Sequence, residues 1–467
     1  MSDGAHRIRR LRWRIALGSR EEADGLRARL GRTVNSAIGP ALERAFDGLA
    51  AGDDVIHIAR LEAAVRVEST DDLEAATADA IRAALTARLA EPSDDGQPAS
   101  SEPVRRSTVR LSRLESILQY VETGTLPWYA EPEAADLGHV RELEDTAVSD
   151  LPAVLQHLPT TPAEAAVFLF RLLSLLPDSG WLSVVYAVAR QRHRPEEPAL
   201  VDAIERIAVA PERSSGRHAR LELAAAIIAG WFAPVERPNP QPSPIKTAVS
   251  SDALRLFDRL ALPTRLAKPI DSPRQPSDLW RETARPHHDD RSPDGAQLRV
   301  PAFYAGLVVL TPFLPRLFAA RNVAHPGEQT LSPEALRRAA ALLHFAATGE
   351  NEGHEYELGF IKTLLGVPAD RAILFASGIL SRGDREEVET VLGDVVEQWY
   401  TLKHSSTDGL RQAFLQRRGL LIDTGESWRL RVESAAVDVL LDHLPWSLTT
   451  VALPWLAKPI AIDWPRF

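Results

Sequence analysis

The chain contains no cysteine and a single methionine. Disulfides, thiolate zinc sites and cysteine nucleophiles are excluded together, and any metal would have to be held by histidine and carboxylates alone. Long hydrophobic runs are also missing. The longest apolar stretches, around 163–176 and 221–233, fall short of the ~20 residues a membrane-spanning helix needs. Positive charge is not in excess either: 54 Lys and Arg against 64 Asp and Glu leave a net charge of −10, where a general nucleic-acid binder would be basic. The arginines of residues 7–14 alternate with apolar residues and do not precede an apolar run. No secretory leader is read there, and the expectation is a protein made and folded in the cytoplasm.

Catalytic motifs are equally scarce. No Gly-rich phosphate loop follows a strand, and Gly180, which precedes Trp181, lacks the frame of a nucleophile elbow. His287-His288-Asp289-Asp290 offers metal-ligand types, but in a proline-rich stretch without a scaffold to orient them. Glu352, His354, Glu355 and Glu357 do not have the spacing of two histidines on one helix face, so they read as a solvated loop. The expectation is therefore a protein that is not an enzyme and has no cofactor and no metal.

What is present is ordinary material for soluble cores: 467 residues, 45% hydrophobic and 25% charged, enough for two or three domains. The composition and periodicity predict an α+β chain that is predominantly α-helical. Residues 8–17 alternate, with Leu11, Trp13, Ile15 and Leu17 on one face and Arg10, Arg12 and Arg14 on the other, the pattern of a half-buried strand. A capping box at 19–22 opens a helix to Leu49, a strand-like run covers 54–67, and a third capped segment forms a helix ending near Leu89. This is a small βαβα unit over 1–90, followed by a polar linker at 91–106. A short helix with Leu111, Leu114, Ile117, Leu118 and Val121 stops at Gly124, ahead of LPWY with its Trp128. Apolar helices at 163–176, 181–190, 199–208 and 221–232, punctuated by prolines, form a helical array over 107–233. Residues 234–300 are dense in proline and read as a semi-rigid spacer, with one short helix around Leu254 to Leu260.

A C-terminal helical domain spans 301–467. Its last helix pair begins at Asp384, read as an N-cap with Glu387 completing the box, and runs through Val388, Val391, Leu392, Val395, Val396 and Trp399. Gly419 is placed as a left-handed C-cap, and 420–422 with 428–433 as a β-hairpin. The tail carries LPWS, LPWL and IDWP, setting Trp446, Trp455 and Trp464 at intervals of nine. Proline fixes chain direction and tryptophan adds large rigid contact area. Two readings follow: these rings close the domain's own core, or some of them, with Trp13, Trp128 and Trp399, anchor partner subunits.

Several stretches carry a resemblance. YAGLVVLTPFLPRLF (304–318), LLHFAATGE (342–350), YELGFIKTLLGVP (356–368) and EQWYTLKHSSTDGLRQAFLQRRGLL (397–421) resemble the contractile injection system tape measure family. WRLRVESAAVDVLLDHLPWSL (428–448), LPWL, IDW, HRIRRLRWRI (6–15) and YVETGTLPWYA (120–130) continue the likeness in order. The family's usual Asn and Cys flanking Lys362 appear here as Ile361 and Leu365. The resemblance implies a structural component of a phage-tail-like injection particle, attached near the spike or baseplate, lying in or at the inner tube and setting its length. Compact assembly chaperone or baseplate adaptor is the alternative. A second alternative comes from the residues themselves. Helix, helix and hairpin over 384–433, with Arg411, Arg417, Arg418, Arg429 and Arg431, have the order of a winged-helix nucleic-acid reader, although the acidic balance makes nucleic acid an unfavoured partner.

Overall fold

The computed structural model describes residues 54–58, 61, 63–65, 73–90, 104–127, 130, 150–193, 197–211, 216–232, 251–263, 266, 298–324, 330–373 and 379–464. The expected strand at 8–17 and helix at 20–49 lie outside these residues, as do Trp13, Trp128 and the His287–Asp290 group. The chain divides into two compact units, 1–112 and 113–467.

In the first unit, strand β1 (Asp54–Ile58) covers only the start of the strand-like run expected over 54–67, and helix α1 spans Leu73–Ala90, its expected cap at 69–72 lying outside the described residues. Thr77, Ile81 and Leu85 recur every fourth residue and form the buried stripe of α1. Strand β2 (Val104–Thr108) pairs antiparallel with β1, Ile56 opposite Arg106. It takes up the end of the segment read from sequence as linker. Its VRRST composition is polar enough to pass for a spacer, and only pairing with β1 makes it a strand.

The second unit begins within helix α2 (Val109–Thr123), as a helical array. Helix α2 is followed by α3 (Leu151–Leu155), α4 (Pro162–Ser174), α5 (Trp181–Gln191), α6 (Pro198–Ala208) and α7 (Arg217–Phe232). Pro at the first turns of α3, α4 and α6 costs no hydrogen bond, because those N–H groups have no helical partner. Helices α4 and α7 are buried on nearly every side and pack against each other. Asp178 ties the array together by accepting from Arg217 Nε and, at 2.6 Å, from Arg220 Nη1. Helix α8 (Ser251–Arg259) is the short helix expected inside the proline-rich segment, and it is docked. Ala253, Leu256 and Phe257 are buried against α7, and Arg206 donates to the Leu260 carbonyl.

A sheet-bearing half follows. It comprises β3 (Arg299–Ala302), a 3-10 segment Ala305–Leu310, α9 (Leu314–Ala320), α10 (Pro333–Thr348), a 3-10 turn Glu355–Leu358 and α11 (Gly359–Leu364). Then come α12 (Arg382–Gln398), α13 (Thr407–Leu410) running into a π turn Arg411–Leu415, β4 (Gly419–Asp423), β5 (Trp428–Val432), a 3-10 helix Ala436–His443, β6 (Thr450–Val451) and β7 (Ile460–Asp463). The sheet order is β3-β4-β5-β7-β6, antiparallel except for β5 and β7. The chain is thus predominantly helical with a five-stranded mixed sheet near its C-terminus.

Several local readings are corrected. Asp384 is not the N-cap of α12. Ser381 is, and Asp384 is the third helical residue, its carboxylate accepting from Ser381 N and Oγ while Ser381 Oγ accepts from Asp384 N. The box is real but sits three residues earlier, because Asp384 is claimed by two arginines. Gly419 is the first residue of β4 and not a helix C-cap, since the preceding helix has already ended in the π turn. The hairpin at 419–432 exists, but β3 and β7 flank it on both sides.

Ala305 N donates to Arg417 O, drawing the 3-10 segment against the π turn. At Gly306 a Cβ would lie 1.7 Å from the Phe414 carbonyl oxygen, so two backbones touch there. Gly393, inside α12, would meet nothing within 4 Å. Gly306→Ala is therefore expected to destabilise by about 2–4 kcal/mol, and Gly393→Ala to stabilise by about 0.5–1 kcal/mol through helix propensity, both read by thermal or urea unfolding.

A buried charge cluster as the candidate functional site

Helix α4 is apolar along almost its whole surface, yet it carries Arg171, which is only 2% exposed. An unpaired buried guanidinium would cost several kcal/mol, so its partners define a site. Arg171 Nε donates to Glu355 Oε2 at 2.8 Å and Nη2 to Glu355 Oε1 at 3.1 Å, a bidentate pair. Nη1 donates to the Val121 and Glu122 carbonyls, and Nη2 also to the Asp370 carbonyl. These contacts use all five of its N–H donors. Lys362 Nζ, fully buried, donates to Glu355 Oε1 at 2.8 Å and to the Ala369 carbonyl at 2.9 Å.

Two cations thus share one buried carboxylate. Burial works against ionised Glu355, but Arg171 and Lys362 outweigh it and hold the carboxyl below its ordinary range. Burial lowers Lys362, helped by the neighbouring Arg171, while Glu355 and Asp370 pull the other way. Tyr120 packs edge-on to Tyr356 with ring centroids 5.4 Å apart. Burial, with Glu355 nearby, pushes its phenol up, so it stays a neutral donor. Its hydroxyl lies 3.1 Å from Ser174 Oγ, which donates to the Arg171 carbonyl, so the tyrosine hydroxyl supplies the proton between them. Gly124 has φ +73°, and a Cβ there would stand 2.5 Å from Arg171 Nη2 and 2.7 Å from Glu355 Oε1. Glycine ends α2 and leaves the volume that the ion pair fills.

A second layer adjoins it. Glu357 Oε2 lies 3.6 Å from Nε2 of buried His344 and accepts from His354 N. Burial, then Glu357, raise the Tyr304 hydroxyl well above its ordinary value. The stretch 352–357, read from sequence as a solvated loop, therefore contributes the buried carboxylate of Glu355 and the half-buried one of Glu357. The sequence signal was Arg171 and Lys362, each alone in an apolar helical run; a cation with no polar face to reach must be paired inside.

The predicted interaction residues are placed as follows. Trp399 is fully buried, lies 4.6 Å from the Phe414 ring and donates Nε1–H to the Leu440 carbonyl. Trp455 packs on Phe318 and donates to the Leu364 carbonyl at 2.8 Å. Trp464 donates to Asp438 Oδ2, which also accepts from Ala435 N, while Oδ1 takes Arg417. Trp446 is half-buried, edge-on to Phe313, and donates to the Val309 carbonyl. The tail is thus pegged along its own half of the unit.

The winged-helix order is not realised. The second helix is one turn followed by a π turn, and the hairpin lies inside the sheet, where no free wing projects. Arg411 is buried on Glu389, Asp408 and the Ala346 carbonyl, Arg417 is on Asp438, and Arg431 lies 3.9 Å from Asp463. Arg418 stands over the Phe303 ring, so one of the five arginines, Arg429, is left exposed. Among the described residues no cluster of three or more metal-ligating side chains occurs, and no helix is long and apolar enough to cross a membrane.

Glu355→Gln strands Arg171 and Lys362 and is expected to cost about 3–5 kcal/mol, whereas Arg171→Met, Glu355→Leu and Lys362→Met combined should lie much nearer the parent in urea unfolding. The pH dependence follows from the depressed carboxyl. Folded Glu355 holds its proton less tightly than the unfolded side chain, so its contribution is complete above its ordinary value of 4.5 and is lost as pH falls below it. Asp384, lowered by Arg338, Ser381 and Arg321 against burial, adds a loss of the same sign below its ordinary 3.8. Acid titration of unfolding free energy should show this slope, reduced in Glu355→Gln.

No curated protein and no solved structure matches the chain. The family model described as contractile injection system tape measure protein matches residues 5–464. That span takes in both units, from the basic N-terminal stretch to Trp464, and with it the cluster and the pegged tail. The chain accordingly belongs to the contractile injection system tape measure protein family, a structural and not an enzyme family, and is a component of a phage-tail-like particle.

Proposed function

We propose that this chain serves its particle as a structural piece with a compact second unit, bridging inner tube and spike or baseplate proteins during assembly, and not as a ruler drawn out along the lumen. It is made and folded in the cytoplasm before it is built in. The observation that supports this is one continuous core from Ile117 to Trp464. Leu256 and Phe257, inside the proline-rich segment, and Val300 and Ala302, at its far end, are buried in that same core. The described residues on either side of 267–297 therefore belong to one unit. A folded unit of this size has a radius of gyration of about 20 Å, whereas the whole chain as one helix would extend roughly 700 Å. Of the described tryptophans proposed as contacts, Trp446 keeps the most of its ring outside the core, and contact with a partner falls chiefly to it.

Shortening residues 267–297 by about half should leave tube length unchanged in electron micrographs of purified particles, while deleting the gene should leave particles absent or misassembled. Tube length that scales with the shortening would overturn the compact reading in favour of a ruler. Mass spectrometry of intact particles should find the chain in them; its absence would recast it as an assembly chaperone.

A further inference from the structure

We infer that the second unit is built as two halves clasped at Arg171: the helical array through α8, and the sheet-bearing half from Leu298 onward. Each half has polar ties of its own. In the array, Arg217 and Arg220 converge on Asp178. In the other half, Arg321 and Arg338 meet on Asp384, Arg417 and Trp464 on Asp438, and Arg411 reaches Glu389 and the end of α10. Arg171 belongs to both. Two of its hydrogen bonds hold the end of α2 in its own half, through the Val121 and Glu122 carbonyls. Three cross to the other half, two to the Glu355 carboxylate and one to the Asp370 carbonyl. The Tyr120–Tyr356 ring contact crosses beside it, and Gly124 leaves the space the crossing needs.

A bidentate pair fixes distance and plane together, so the guanidinium sets how the halves are docked. Apolar surface alone is tolerant of sliding; five directed donors are not. The array can thus part from the sheet half by losing these polar contacts and the apolar surface the halves share, with each half's own ties left in place. This inference is independent of the role proposed for the protein in its particle.

The experiment places a protease site within residues 267–297 of the full chain and cuts it after folding. The nicked protein should elute as one body in size exclusion. Nicked Arg171→Met should separate into two, and so should Gly124→Ala, which removes no charge but crowds the pair. Arg382→Met, on an exposed pair with Glu386, should stay together. Nicked parent protein that falls apart, or both clasp variants remaining whole, would overturn the inference. Should neither variant fold, amide exchange in the parent decides: protection at 120–124 and 355–362 must be lost together in mild denaturant, and separate loss would refute a clasp.

Discussion

Three ionised side chains closed away from water, Arg171, Glu355 and Lys362, set the terms for the second unit. Removing such charges from solvent is costly, and their mutual attraction offsets that cost only with full hydrogen bonding. Here the guanidinium exhausts its donors, the carboxylate accepts on both oxygens, and Lys362 reaches a carbonyl as well as Glu355. The requirement propagates outward. The end of α2 must present its carbonyls, Gly124 must lack a side chain, and the 3-10 turn must aim Glu355 inward.

The same logic recurs on a smaller scale. Asp384 and Asp438 each sit at the third position of a helix, accept from the capping residue and take an arginine from elsewhere in the chain. Each thereby joins local helix initiation to long-range packing. Arg411 does the converse at a C-terminus, donating to the Ala346 carbonyl in the last turn of α10, where a cation is favoured. The tryptophan tail follows suit: Trp446, Trp455 and Trp464 are buried or half-buried, and each donates its indole N–H to an acceptor in its own chain. Prolines beside the rings keep the strap on course between pegs. A unit pegged in this way has a fixed form, which is what a part fitted into a larger particle requires.

How far the residues spoke for themselves differs by scale. Periodicity located α4 to α7 within a few residues, since an apolar stripe and an initial proline are local properties. It found the hairpin too, but not its neighbours, because Arg299–Ala302 and the paired stretches of the tail become strands only on meeting β4, β5 and β7. The reading of Asp384 as a cap failed for a related reason. Any Ser or Asp near a helix start satisfies the local pattern, and distant arginines decided between Ser381 and Asp384.

Taken alone, the amino-acid order determined the helical content, the absence of thiol chemistry, the aromatic tail and the likeness to an injection-particle family, all of which reside in composition, short-range spacing or motif. Tertiary structure alone decided that Glu355 is inside and not solvated, that Arg417 and Arg431 pair within the chain, and that the array and the sheet half share one core across a proline-rich segment. A charged residue's identity fixes what it needs, whereas the position of its partner, 184 residues away for Arg171 and Glu355, is fixed only when the chain folds back on itself.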